Sequence, residues 1–141
     1  MVIGHDLDHI VEAFSVRFER CTLWVATEVP IAPQLWLVAE DLLLIGCNRE
    51  VYGVRLRACS IAFQVDLDGG PFVQFATESL GRRLVICETG ALAIDDRGHK
   101  LWSYHADIVT RWQLLDGKLR LEFLDEPAAL VEVEKGVAFI A

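Results

Sequence analysis

Val109-Thr-Arg-Trp-Gln-Leu-Leu-Asp-Gly-Lys-Leu-Arg-Leu-Glu-Phe123 is the stretch whose reading decides the fold. Asp116-Gly117 marks a two-residue hairpin turn, because a type I′ turn needs positive φ at both central positions. Pairing outward from it sets Leu115 opposite Lys118, Leu114 opposite Leu119 and Trp112 opposite Leu121. One face then carries Thr110, Trp112, Leu114, Leu119, Leu121 and Phe123. The other sets Arg111 against Glu122 and Gln113 against Arg120. Apolar and charged side chains separate, as a half-buried antiparallel pair requires.

Working outward, the same signature recurs. Leu84–Cys87 and Ala91–Ile94 flank Glu88-Thr89-Gly90, and Leu43–Cys47 and Val51–Leu56 flank Asn48-Arg49-Glu50. Ser60–Leu67 and Phe72–Thr77 flank Asp68-Gly69-Gly70-Pro71, and Lys118–Leu124 and Ala128–Glu134 flank Asp125-Glu126-Pro127. Each reads as a hairpin. The expectation is an all-β antiparallel meander of about 10–12 short strands in a single domain over residues 1–141. Residues 3–14 are ambiguous. Ile3, Leu7, Ile10, Val11 and Phe14 fit one helical stripe, whereas Ile10, Phe14, Val16 and Phe18 fit one strand face with Glu12 as the exception; a short N-terminal helix or irregular lead-in is expected before a strand near Phe14.

An internal repeat spans roughly residues 43–83 and 84–124. Leu44-Ile-Gly-Cys47 is echoed by Leu84-Val-Ile-Cys87, and Ile61-Ala-Phe-Gln-Val-Asp-Leu67 by Trp102-Ser-Tyr-His-Ala-Asp-Ile108. A period near 40 residues is the size of a four-stranded propeller blade. In the second copy, Gly90-Ala-Leu-Ala-Ile-Asp-Asp-Arg-Gly-His-Lys-Leu-Trp102 resembles the blade repeat of quinoprotein-type (PQQ-like) β-propellers. That resemblance covers residues 84–123 and implies a Gly turn at Gly98 and a Trp102 packed between adjacent sheets. The first copy lacks the Asp, Gly and Trp, so the family's quinone and dehydrogenase chemistry is not carried over. At this period the chain is expected to hold fewer than four blades. They would pack as a sandwich, a barrel or an incomplete propeller.

Composition bounds the function. Apolar side chains are 53% of the chain before its ten glycines are counted, above the roughly 45–50% of an ordinary domain with glycine included. Disorder is excluded on that ground. Formal net charge is −8, which argues against nucleic acid as a partner. No apolar run approaches the length of a membrane helix, so no membrane is expected, and the acidic first residues carry no basic leader. The expected location is therefore the cytoplasm, with Cys21, Cys47, Cys59 and Cys87 as buried, reduced thiols.

Few chemical signatures are present. His5-x-x-x-His9 with Glu12 aligns on a helix face but supplies no fourth ligand, so a solvated terminus is the expectation and no metal. Asp66-Leu-Asp68-Gly69-Gly70 opens like a calcium loop, but a twelfth-position Glu is replaced by Thr77. Asp95-Asp96 and Asp125-Glu126 read as turn acids. No nucleophile elbow and no phosphate-cradling loop occurs, so neither catalysis nor a cofactor is expected. Ser103, His105 and Asp107 form a polar strip opposite Trp102 and Tyr104, a candidate ligand site.

Leu23–Val25, Leu35–Ala39 and Leu42–Cys47 are apolar on both strand faces and must be covered on both sides, by this chain or by another. Trp24, Trp36 and Leu37 are the candidate interface residues. The leading expectation is therefore protein association, with the chain itself as partner. The alternatives are a carbohydrate or small-ligand module built from blade-like repeats, and a small hydrolase with carboxylates at strand ends.

Overall fold

The computed structural model describes residues 1–4, 8–79 and 81–141. Fifteen strands and no helix are found among them. β1 (Val2–Ile3), β2 (Glu12–Arg17) and β3 (Thr22–Thr27) form a first sheet in the order β1-β3-β2, with β1 parallel to β3. β4 (Gln34–Ala39), β5 (Leu42–Cys47), β6 (Glu50–Arg55) and β7 (Ser60–Asp66) form a second sheet in chain order. β8 (Phe72–Ser79), β9 (Arg82–Cys87), β10 (Gly90–Ile94) and β11 (Lys100–His105) form the third. The fourth holds β12 (Val109–Leu115), β13 (Lys118–Phe123), β14 (Ala129–Glu132) and β15 (Ala138–Ile140). The last three sheets are antiparallel throughout, and all four are blade-like.

The hairpin at Asp116-Gly117 adopts the register read from the sequence, and both turn residues have positive φ, 48° and 72°. One position differs. A bulge between Val109 and Arg111 sets Val109, not Thr110, opposite Phe123. Val109 then reaches the core, and the freed Thr110 hydroxyl donates to the Glu122 carbonyl at 3.2 Å.

Three larger expectations are corrected. The N-terminal helix is absent from the described residues: β2 pairs with β3, setting Phe14 against Val25 and Val16 against Leu23 on one apolar row. The residues flanking Asp68-Gly69-Gly70-Pro71 do not form a hairpin. β7 belongs to the second sheet and β8 to the third, so 68–71 is the link between sheets. Four blade-like sheets are present where the period suggested fewer, because the first is only three-stranded and one of its strands, β1, is two residues long. The two copies of the sequence repeat occupy equivalent positions. Leu44 and Leu84 lie on second strands, β5 and β9, and Ile61 and Trp102 on fourth strands, β7 and β11.

The cysteine expectation holds for two of four. Cys47 and Cys87 are buried free thiols, each pushed up to about 12, mainly by burial. Cys21 and Cys59 form a disulfide. Cys21 immediately precedes β3 of the first sheet and Cys59 closes the β6–β7 turn of the second. Packing of one sheet on the other brings together residues 38 apart in sequence, which is why spacing alone did not pair them.

The core is divided into three clusters, each between consecutive sheets. Ile3, Leu23 and Val25 pack against Leu43, Ile45 and Val54 between the first and second. Leu44, Val51 and Val65 meet Phe72, Val85 and Leu92 between the second and third. Leu84, Ile86, Ala93 and Trp102 meet Leu119, Leu121 and Val131 between the third and fourth. β5 is buried along its whole length because its two faces serve two different clusters. None of these clusters joins the fourth sheet to the first.

Candidate functional site

His105 ends β11, beside Gly90 on β10, on the strand face opposite Trp102. Its ring packs against the backbone of Gly69 in the 68–71 link and of Gly90, where an added side chain would overlap the imidazole. Asp68 and Lys100 form an ion pair at 2.8 Å nearby. The hydrogen bond from Lys100 holds the Asp68 carboxyl below the usual range. Both imidazole nitrogens are enclosed and have no hydrogen-bond partner among the described residues. Burial lowers the His105 pKa, Asp68 opposes that shift and Lys100 adds to it. The imidazole thus packs against the 68–71 link, with both nitrogens turned into the protein.

The other members of the polar strip are engaged or apart. Asp107 accepts the backbone N–H of Asp125 at 2.7 Å, a bond that lowers its pKa and ties the 124–126 loop to the end of β11. Ser103 is exposed on the face it shares with His105. No hydrogen bond joins Ser103, His105 and Asp107 among the described residues. The turn acids are similarly occupied: Asp95 accepts from the backbone of Arg97 and His99 and contacts the His99 ring, and Asp96 pairs with Arg83. His5 of the candidate metal trio lies outside the described residues.

The three apolar candidates go to different places. Trp36 lies at the junction of the second and third sheets, tilted against Phe75 at 5.5 Å with the Arg83 guanidinium 5.1 Å above its ring. The first strands converge here, and Gln34 accepts the Phe75 N–H at 2.9 Å. Leu37 is 55% exposed and lines an open cleft of about 660 Å³ with Phe18, Arg20, Glu40, Leu56 and Arg57, beside the disulfide. Trp24 is also 55% exposed, at the centre of the first sheet's outer face.

That outer face can be read from the register. Val2 and Ser15 flank Trp24, Ala13 pairs with Ala26, and Arg17 pairs with Thr22. The fourth sheet's outer face carries Arg111 with Glu122, Gln113 with Arg120, Leu115 with Lys118, and Leu130 with Phe139. Both are the faces left over when consecutive sheets stack. Sequence reading singled out Trp24 through its two-sided apolar segment. It missed the fourth sheet's outer face, because that row alternates charged and apolar residues and reads as ordinary solvated surface.

No protein-family model and no curated protein matches the sequence. Similarity is to solved structures and lies in the fold alone. The computationally designed Ika4 protein superposes with a TM-score of 0.60 at 10% identity, over 88% of this chain and 78% of that one. The WD40 domain of Neurospora crassa Pan2 gives 0.55 at 13% identity, over 77% of this chain and 37% of that one. A europium-containing methanol dehydrogenase, a propeller of the PQQ type, gives 0.54 at 14%, over 92% and 26%. The chain therefore has the blade architecture of β-propellers, and it spans only about a quarter to two fifths of the two larger proteins.

Proposed function

We propose that this chain works by protein association, and that its partner is a second copy of itself. The observation that carries the reading is the count of cores against sheets. Four sheets stacked side by side have three buried junctions, which leaves one outer face at each end of the arc. The first of these faces presents a half-exposed tryptophan among small and apolar residues. A large aromatic in the middle of such a patch is the side chain that most often anchors an interface. The fold of the solved neighbours supports the reading, since propeller blades cover their faces by stacking on further blades.

The test compares two tryptophans. Trp24→Glu is expected to raise the dissociation constant of the assembly by about 30-fold or more, as loss of an interface anchor does. Trp36→Phe, inside the second junction, is expected to leave association unchanged while lowering stability. Sedimentation equilibrium of both variants checks this, with circular dichroism to confirm the fold. Association untouched by Trp24→Glu would overturn the reading.

A further inference from the structure

We infer that the two outer faces bind each other: the first sheet of one copy docks on the fourth sheet of the next, and two copies close a ring of eight sheets. This rests on the self-association proposed above and fixes its geometry. Within the chain, all three junctions stack one sheet on the following one in the same sense, so a fourth-to-first contact continues the stacking without a new packing mode. First-to-first or fourth-to-fourth contacts would reverse it.

The two faces offer each other an exposed indole and exposed guanidinium groups. The fourth sheet's outer face carries Arg111, Lys118 and Arg120 against Glu122 and Glu132, an excess of cations. Glu122 already serves both arginines, at 3.8 Å from Arg111 and in a short hydrogen bond with Arg120. Two such faces apposed would repel. The first sheet's face offers Trp24 at its centre and Arg17 paired with Thr22, while exposed Glu12 and Glu28 lie at one end of the sheet and Glu19 and Arg20 at the other. A guanidinium over an indole is attractive, and this molecule already uses that contact between sheets, with Arg83 over Trp36. The apolar part of the fourth face, Leu115, Leu130 and Phe139, supplies apolar surface to the exposed Val2 and Ala13 around Trp24.

A head-to-tail contact produces either a closed ring or an open fibre. Two copies contribute eight sheets, within the roughly four to eight blades of closed propellers. Closure by two copies uses both faces of both chains and leaves none free.

Complementation tests the geometry. One variant carries Trp24→Glu, the other Arg111→Glu with Arg120→Glu; Gln113→Glu with Lys118→Glu serves as an independent lesion of the fourth face. Each variant alone is expected to be monomeric in light scattering, with an unchanged circular dichroism spectrum. An equimolar mixture of a first-face and a fourth-face variant restores one intact junction. It is expected to form a mixed pair, weaker than the unmodified dimer by at least about tenfold because the second linkage is lost. A fourth-face variant that stays dimeric while Trp24→Glu is monomeric would overturn the head-to-tail geometry in favour of first-to-first pairing. Unmodified assemblies that grow beyond two copies with concentration would overturn closure. An unmodified chain that is monomeric throughout would instead remove the self-association on which this geometry rests.

Discussion

At His105, burial and chemistry pull against each other. Both ring nitrogens are enclosed with neither partnered among the described residues, and burial lowers the pKa. The unfolded chain takes up a proton near the ordinary pKa of about 6.5, whereas the folded chain resists it. Stability is therefore full above about pH 6.5 and falls as the pH drops toward the lowered folded value. Urea midpoints at pH 7.5 and pH 5.0 should differ more for the unmodified protein than for His105→Leu, which has no ring to protonate; equal differences would contradict the assignment. Two glycines give a second test at this scale. Gly117 has positive φ and open space around it, so Gly117→Ala should cost about 1 kcal/mol of backbone strain. Gly136 also has positive φ, but a side chain there would overlap Trp102, whose indole N–H donates to the Val133 carbonyl at 2.7 Å. Gly136→Ala should cost about 2–4 kcal/mol in chemical denaturation, the strain plus overpacking. The sequence alone placed Trp102 between sheets through the blade-like repeat, and Gly98 in its turn has the positive φ expected of it, 82°. It gave no sign of Gly136 or of the Asp68–Lys100 pair, because those contacts join segments about 30 residues apart.

At the scale of elements, local chemistry was legible and pairing between distant elements was not. Asp116-Gly117 specifies its own turn, and the alternation of Trp112, Leu114, Leu119 and Leu121 specifies which face is inward, so register followed from residues 109–123 alone. Asp68-Gly-Gly-Pro71 carries equally strong turn chemistry, yet the strands on either side enter different sheets. A turn signal says that the chain bends; it does not say whether the next strand returns to the last one. Residues 12–17 illustrate a second ambiguity, since Phe14 fits both a helical stripe and a strand row with Val16, and pairing with β3 decides for the strand. The disulfide belongs to the same class of invisible contact and now makes an element-level prediction. Cys21–Cys59 ties the first sheet to the second across a 38-residue separation. The paired variant Cys21→Ser with Cys59→Ser should lose about 2–4 kcal/mol in denaturant. Hydrogen exchange should show the loss concentrated in β2 and β3, with β9 and β10 still protected; uniform loss would mean the bond staples no particular junction.

For the whole molecule, the surplus of apolar residues finds its explanation in the number of stacked faces. A strand such as β5 serves two cores at once, which is why Leu42–Cys47 has no polar face. Leu23–Val25 carries the same two-sided pattern but stands at the end of the stack, so among the described residues no further sheet packs on Trp24, which is left 55% exposed. The sequence therefore disclosed that the face needs covering and left open what covers it. The repeat disclosed the blade, and its spacing holds from Leu44 on β5 to Leu84 on β9; it did not disclose the three-stranded first sheet that fits four blade-like units into 141 residues. The central claim is an arc of four sheets completed by a second copy of the chain. Light scattering of the unmodified chain across a hundredfold range of concentration tests it most directly. The account predicts a plateau at twice the chain mass that does not grow further. A single-chain mass at every concentration would contradict it.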